Sequence, residues 1–196
     1  MDLERAKRNF KNHVATFTDY GNIKILDFKN PDSSEYRIRF LFEEDYCRLH
    51  ISGDLGELTA SNYKNMTYEG FSDFINDIGY FKEKIDCMNR KIYIYDEDKA
   101  RKELLDMADE KDWLLFSDKY PYENDDEERL NNIINDILYD FDEEHGIGSK
   151  GYEELDELEE DVFEFASELG KKETGILDLY MLAFKLAKEQ LNKQQN

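Results

Sequence analysis

The residues of this sequence whose types and spacing could do chemistry are carboxylates gathered in one short segment. Eight of the twelve residues from Glu153 to Glu164 are acidic, and none of the twelve is Lys or Arg. The shortage of bases extends upstream, since 17 acids and two bases lie between Glu123 and Asp161. Such carboxylates either form a solvated helix face or pair with Arg and Lys side chains that would otherwise hold phosphates.

We predict that these acids form a partner-binding face, because a sequence shaped by stability would interleave Lys with Glu at helical spacing. The predicted face comprises Glu153, Glu154, Asp156, Glu157, Glu159, Glu160 and Asp161, extended by Asp125, Asp126, Asp142, Glu143 and Glu144. A merely solvated face remains the competing interpretation.

The segment GIGSKG, Gly146–Gly151, has the literal spacing of a dinucleotide-binding loop. That loop needs a strand before it and a helix after it, and it must tolerate a pyrophosphate. Here the preceding pattern is helical, and nearby acids such as Asp140 and Asp142 would repel phosphate. We therefore interpret the glycines as a loop between two antiparallel helices.

The same loop approximates a calcium-binding EF-hand. Asp140, Asp142 and Glu144 occupy positions 1, 3 and 5 of the twelve-residue motif. Position 6 requires Gly and position 12 requires a bidentate Glu, whereas this sequence has His145 and Gly151 there. We therefore predict no required metal.

Side chains typical of other active sites are few and scattered. The three histidines, His13, His50 and His145, do not form a metal-binding motif, and Cys47 and Cys87 lack a redox or nucleophile motif. With 47 acids, some carboxylate pair will lie at any chosen distance, so glycosidase chemistry leaves no usable signal. The sequence predicts a non-enzyme without a cofactor, and a carboxylate- or metal-dependent hydrolase stays as an alternative.

The net charge of −21 limits the classes of partner. It argues against direct binding to nucleic acid or to an anionic membrane, and it favours a basic protein. The first ten residues lack the apolar region of a signal peptide, and no apolar run approaches the length of about 20 residues that spans a bilayer. We expect a cytoplasmic protein with two reduced cysteines.

The hydrophobic pattern changes along the chain. Helical spacing predicts a helix over 3–18, and alternation predicts strands at 22–28, 36–42, 46–52 and 57–61. Further helices are predicted around Phe71–Ile78, Phe81–Ile85 and Ala100–Ala108, with a strand at 91–96 before the last of them. Helical stripes then cover 130–141, 152–169 and 177–191.

This order predicts an α+β fold, in which a small antiparallel sheet with helices is followed by an acidic helical region. The corresponding domains are residues 1–110 and 111–196. Residues 1–110 carry a net charge of −6 and residues 111–196 a net charge of −15.

The stretch from Arg37 to Cys87 resembles a group of uncharacterised proteins encoded by phages and prophages of Gram-positive bacteria. The likeness rests on ISGDLGELTASN and on the F-x-x-F-I…GYF pattern. It implies a mobile-element setting, in which small acidic proteins include DNA mimics and anti-CRISPR inhibitors of Cas9. The function implied is inhibition of a nuclease such as guide-loaded type II-A Cas9 by acidic contacts with its basic surface. Another phage–host regulatory binding protein is the alternative within the binding class.

Overall fold

The computed structural model describes residues 3–116 and 125–195. Eight strands lie within these residues: β1 Val14–Asp19, β2 Ile23–Lys29, β3 Ile38–Glu43, β4 Arg48–Gly53, β5 Leu58–Ser61, β6 Ile85–Met88, β7 Tyr93–Tyr95 and β8 Lys171–Glu173. The α-helices of the same residues are α1 Leu3–Asn9, α2 Ile78–Lys82, α3 Glu97–Lys111, α4 Trp113–Phe116, α5 Asp126–Ile137, α6 Ser149–Asp156, α7 Val162–Phe165 and α8 Ile176–Gln195. The predicted α+β class is therefore confirmed.

The chain divides into two compact units, and one of them is inserted into the other. The sheet unit comprises the residues up to Ile92 together with those from Gly175 onward, and the inserted unit is Tyr93–Thr174. The division predicted at residue 110 differs from this, since that position lies inside α3. The last predicted helix also groups with the sheet rather than with the acidic region, because its apolar face packs on the strands.

The sheet unit is built on an antiparallel meander of strands in the order β1-β2-β3-β4-β5-β6. Its inner face follows from strict alternation: Leu26 faces Phe40 across one strand pair, and Phe42 faces Leu49 across the next. All four of these side chains are completely buried. The four strands predicted between residues 22 and 61 are confirmed, and β1 and β6 extend the sheet on either side.

Helix α8 covers the inner face together with the segment between β5 and β6. The ring of Phe184 lies 4.8 Å from that of Phe71 and 5.4 Å from that of Phe40, measured between ring centroids. The Tyr180 hydroxyl donates a hydrogen bond of 3.0 Å to the carbonyl oxygen of Leu55. The core of this unit therefore joins strands from the first half of the chain to a helix from its end.

The inserted unit has a separate core. Its apolar residues come from α3, α4, α5, α6 and α7, with Leu104, Ile134, Leu155 and Val162 fully buried. Strands β7 and β8 pair antiparallel, with Tyr93 opposite Glu173, and so join the two ends of the inserted segment. In the described residues, no helix of either unit combines the length and apolarity needed to cross a membrane.

The helix predicted over 3–18 is wrong in its second half. Helix α1 ends at Asn9, and Val14–Asp19 forms β1 at the edge of the sheet. The sequence VATFTD is rich in β-branched and aromatic residues, and it buries Ala15 and half-buries Phe17 on one face. The complete ladder with β2 outweighs the weak helical spacing of the preceding residues.

The continuous helix predicted over 152–169 is also wrong. Helix α6 ends at Asp156, and α7 begins only at Val162, after Asp161 has adopted a left-handed conformation with φ 56°. Acids at i, i+4 spacing, such as Glu153 and Glu157, repel each other in a helix, and Asp tolerates the left-handed region better than most residues. A smaller error lies at Ile85, which starts β6 rather than a second helical turn.

Replacing Phe184 by Ala should lower the free energy of unfolding by about 3–5 kcal/mol, because the ring fills the centre of the aromatic cluster on the sheet. Thermal or urea unfolding measures the loss. Lys185→Ala is the matched control, since Lys185 is the exposed neighbour on the same helix. Equal stabilities of the two variants would contradict the packing described.

The stability of the sheet unit should depend on pH in the alkaline range because of Tyr180. Burial raises the pKa of its hydroxyl from 10.0 to about 12. An unfolded chain therefore loses the Tyr180 proton at lower pH than the folded chain, and stability should fall as pH rises between about 10 and about 12, with a slope near 1.4 kcal/mol per pH unit for one proton. Comparing unfolding of the native chain and Tyr180→Phe across this window isolates the contribution, and parallel pH profiles would contradict it.

Candidate functional site

Almost the entire net charge of the protein resides in the inserted unit. Residues 93–174 contain 29 acids and 9 bases, a net charge of −20, whereas the remaining residues contain 18 acids and 17 bases, a net charge of −1. The asymmetry is much sharper than the one obtained by dividing the sequence at residue 110. A nearly neutral sheet unit thus carries a polyanionic insertion.

Within the inserted unit, α3 and the segment 159–165 enclose an acidic groove of about 420 Å³. Helix α3 contributes Glu103, Asp106 and Glu110, whose spacing of three and four residues places them on one side of the helix. The facing segment contributes Glu159, Glu160, Asp161 and Glu164. Lys111 is the single base that lines the groove among the described residues.

The groove also has an apolar component. Met107 and Phe165 line it and are half-buried, because both pack against the core of the inserted unit. An apolar strip flanked by carboxylates suits a ligand that presents cationic head groups on aliphatic stems. Lys and Arg side chains have this construction.

Two of the seven groove carboxylates stabilise the inserted unit itself. Glu159 accepts a hydrogen bond of 2.5 Å from the indole N–H of Trp113, and its other oxygen lies 3.6 Å from the Lys111 ammonium. Glu103 lies 2.8 Å from the Lys99 ammonium and accepts a hydrogen bond from the backbone N–H of Gly170. These contacts fix both walls of the groove.

The other five groove carboxylates have no ion pair or hydrogen bond with any residue in the described parts of the chain. They are Asp106, Glu110, Glu160, Asp161 and Glu164, and all five are exposed. Their mutual repulsion destabilises the isolated protein and would be relieved by a cationic ligand.

The structure distributes the twelve predicted site residues over separate places. Only Glu159, Glu160 and Asp161 line the acidic groove, and Glu159 is committed to Trp113. Ten of the twelve are exposed, whereas Glu154 and Glu159 are half-buried. The remaining predicted acids of that segment lie on α6 or at its C-terminal end, at Glu153, Glu154, Asp156 and Glu157.

The predicted extension of the face lies elsewhere in the inserted unit. Asp142 and Glu143 line a second acidic cavity of about 480 Å³ together with Asp96, Glu97 and Asp98. Asp125 caps α5 by accepting a hydrogen bond from the Glu127 N–H, and Asp126 begins that helix. Glu144 lies in the loop between α5 and α6.

Sequence reasoning missed the half of the acidic groove that α3 supplies. Asp106, Glu110 and Met107 were not singled out, because α3 also contains four Lys and Arg residues and lacks the concentration of acids found after residue 150. The usable signal was the side of α3 on which those acids fall. Positions 103, 106 and 110 share one face, whereas Arg101 lies elsewhere and pairs with Glu97 at 3.6 Å.

Asp140 explains the glycine-rich loop without a nucleotide. Its carboxylate accepts hydrogen bonds from the backbone N–H groups of Lys150 and Gly151, at 2.9 and 3.0 Å, in the first turn of α6. Desolvation raises the pKa of Asp140, but these N–H groups and the Lys150 charge outweigh it and leave that pKa lowered. The position that a phosphate would take at a helix N-terminus is therefore filled by a side chain of the protein.

The glycines of the loop are required by close packing. A Cβ atom at Gly148 would collide with the Asp140 carboxyl, and one at Gly151 would collide with the carbonyl oxygen of Ile137. The interpretation of this segment as a loop between helices agrees with these contacts.

Asp142, which resembles an EF-hand ligand, is also used locally. Its carboxylate accepts hydrogen bonds from the backbone N–H groups of Glu144 and His145, at 2.7 and 2.8 Å, and its pKa is lowered, chiefly by the Glu144 N–H. The described residues include no group of three or more His, Cys, Asp or Glu side chains placed to hold a metal ion. The carboxylate thus stabilises the turn that follows it in the loop between α5 and α6.

The face of the sheet opposite the inner face is called the open face here. His50 lies on it and is less isolated than its place in the sequence indicates. Its Nε2 lies 2.9 Å from a Glu43 carboxylate oxygen, and its Nδ1 lies 3.3 Å from the Thr59 hydroxyl. The three residues stand on β3, β4 and β5. They form a cross-strand polar row that stabilises the pairing of these strands. This structural role accounts for the presence of all three residues.

Comparison with known protein families, curated proteins and solved structures gave no match.

Removing the acceptor of the Trp113 indole should destabilise the inserted unit. Glu159→Ala leaves a buried N–H without a partner and should lower the free energy of unfolding by about 1–3 kcal/mol, whereas Glu159→Gln keeps an acceptor and should lose less. Trp113 is the only tryptophan, so its fluorescence reports the change directly. Glu160→Gln is the control, and an equal effect at Glu160 would contradict the assigned role of Glu159.

Proposed function

We propose that this protein is a non-catalytic binding protein whose inserted unit docks on a basic, nucleic-acid-binding surface of a partner protein. The observation that carries the proposal is the confinement of a net charge of −20 to the 82 residues of the inserted unit, beside a sheet unit of −1. Self-repulsion of this size opposes folding. An insertion that bears it is best explained by a partner of opposite charge.

The acidic groove supplies a specific contact site within this negatively charged unit. Five carboxylates without cationic partners in the described residues flank the apolar side chains of Met107 and Phe165. Arg or Lys side chains of the partner would place their stems on the apolar strip and their head groups among the carboxylates. Charge-assisted hydrogen bonds of this kind are about twice as strong as neutral ones.

The resemblance of residues 37–87 to phage proteins suggests a particular partner. A guide-loaded type II-A Cas9 holds nucleic acid in positively charged channels and reads the protospacer-adjacent motif of its target DNA with arginines. Occupation of such a channel by the inserted unit would exclude DNA and make the protein an anti-CRISPR-type inhibitor. This specific partner is supported by the resemblance and by the charge.

A charge-reversal variant tests the proposal. Asp106, Glu110, Glu160 and Glu164 are changed together to Lys, which converts the acidic groove to a cationic one. Affinity for the partner should fall by on the order of 100-fold or more, since several charge-assisted contacts of about 1.5–3 kcal/mol each become repulsive. The fold should be retained or slightly stabilised, because repulsion within the groove decreases.

The matched control reverses four acids of the sheet unit, Asp32, Glu35, Glu83 and Glu189, and so has the same net charge as the groove variant. Binding to guide-loaded Cas9, and inhibition of its DNA cleavage, are measured for the native chain and both variants. If the two variants weaken binding equally, net charge rather than the groove is responsible. If the native chain binds neither Cas9 nor basic host proteins recovered at low salt, the proposed function is wrong.

Salt provides a second measurement. Binding through the inserted unit should weaken steeply from about 0.1 to about 1 M salt, as the screening length falls from about 10 to about 3 Å. Association rates should decrease more than dissociation rates increase, because long-range steering is lost first. Affinity independent of salt would contradict an electrostatic interface.

A further inference from the structure

The open face of the sheet unit contains a cationic pocket, which is separate from the acidic groove and does not depend on the proposed function. It is a cavity of about 410 Å³ lined by Lys29, Arg37, Arg39, Asp27, Ser52, Gly53 and Glu57. Three bases therefore meet in one cavity of a protein with 47 acids and 26 bases. The ionisable side chains that line it carry a net charge of +1.

Strand register places these side chains together. Asp27 lies opposite Arg39, and the next pair along the ladder is Phe28 with Ile38, both buried on the inner face. Lys29 is the last residue of β2 and Arg37 comes directly before β3, just beyond the end of this ladder, and both line the cavity. Ser52 lies opposite Arg39 on the other neighbouring strand.

Arg39 is held in a fixed orientation by Asp27. Its Nε and Nη2 atoms donate hydrogen bonds of 2.7 and 2.9 Å to the two oxygens of the Asp27 carboxylate, and this contact raises the pKa of Arg39. The bidentate pair leaves the Nη1 hydrogens of the guanidinium for another acceptor. A guanidinium oriented in advance loses little entropy when it binds an oxyanion.

Lys29 and Arg37 are exposed, and neither side chain has a hydrogen bond or ion pair with any residue that the structure describes. Like charges that line one cavity repel each other. Among the described residues, Glu57 is the one acid lining the cavity that is not paired with Arg39. The sheet therefore retains an unfavourable pair of cations that an anion would neutralise.

We propose that the cationic pocket binds a phosphoryl group, either free phosphate or the phosphate of a small phosphorylated molecule. A tetrahedral dianion has enough oxygens to accept from the Nη1 group of Arg39, from the Arg37 guanidinium and from the Lys29 ammonium at once, and the Ser52 hydroxyl lines the same cavity. A monocarboxylate has one charge and two oxygens, so it would satisfy fewer of these donors. The volume accommodates a small phosphate ester.

Calorimetric titration with inorganic phosphate and with glycerol phosphate, at constant ionic strength in chloride buffer, tests the assignment. The double variant Lys29→Gln/Arg37→Gln should bind phosphate at least about tenfold more weakly, since each charge-assisted bond that is lost is worth a factor of about ten. Without ligand, the same variant should melt at the same or a higher temperature, because two like charges that line the cavity are gone. Arg48→Gln, exposed on the same face but outside the cavity, should bind phosphate like the native chain.

A variant of opposite sign strengthens the test. Glu57→Gln removes a carboxylate that repels the anion and should increase phosphate affinity, an effect that a loss of folding cannot produce. Malonate, a dianion whose charge is divided between two separate carboxylates, should bind more weakly than phosphate. The proposal is overturned if the native chain binds neither phosphate probe, if the double variant binds as tightly as the native chain, or if malonate binds as tightly as phosphate.

Discussion

The need to cover one face of a six-stranded sheet determines how this chain is organised. The inner face presents Leu26, Phe40 and Phe42, which would be exposed if the strands stood alone. Part of the cover comes from α1 with Phe10 and from the segment between β5 and β6, and the rest comes from α8 at the far end of the chain. The chain therefore passes through the whole inserted unit between the strands of the sheet and the helix that covers them. For this reason the segment 93–174 must begin and end at neighbouring positions. The β7–β8 ladder, with Tyr93 opposite Glu173, satisfies that condition.

Inside the inserted unit, some carboxylates serve one of two structural purposes. Asp96, Asp125 and Asp140 accept backbone N–H groups at the starts of helices, where the helix dipole favours a negative charge. Glu103 and Glu159 bind internal donors and hold the walls of the acidic groove. The exposed acids of the groove have neither purpose, and this distinguishes them from the carboxylates that stabilise the unit.

Sequence periodicity was sufficient for the elements with strong patterns. The strands between residues 22 and 61 alternate, and α3, α5 and α8 have clear apolar stripes, so their existence could be predicted. Periodicity failed where non-local pairing or local repulsion decided the outcome. Val14–Asp19 is a strand because β2 lies beside it, and α6 ends at Asp156, in a segment where acids at i, i+4 spacing repel each other. The three-residue strand β8 is defined only by its partner, so no local pattern could indicate it.

The candidate site was predictable in sign but not in shape. Charge counting located an acidic region, and the groove includes three of the twelve acids that it selected. The α3 wall depends on the packing of helices distant in sequence, which a linear count of charge cannot give. The same limit hid the cationic pocket, because Lys29, Arg37 and Arg39 meet only through strand register.

The closed ends of the inserted unit have a consequence for how this protein can change over generations. A segment that possesses its own core, and whose ends are joined by a ladder, can accumulate substitutions without altering the packing of α8 on the sheet. Its surface can therefore change in sequence while the core of the sheet unit stays the same. Substitutions between residues 93 and 174 are therefore expected to disturb the α8–sheet core less than substitutions within that core.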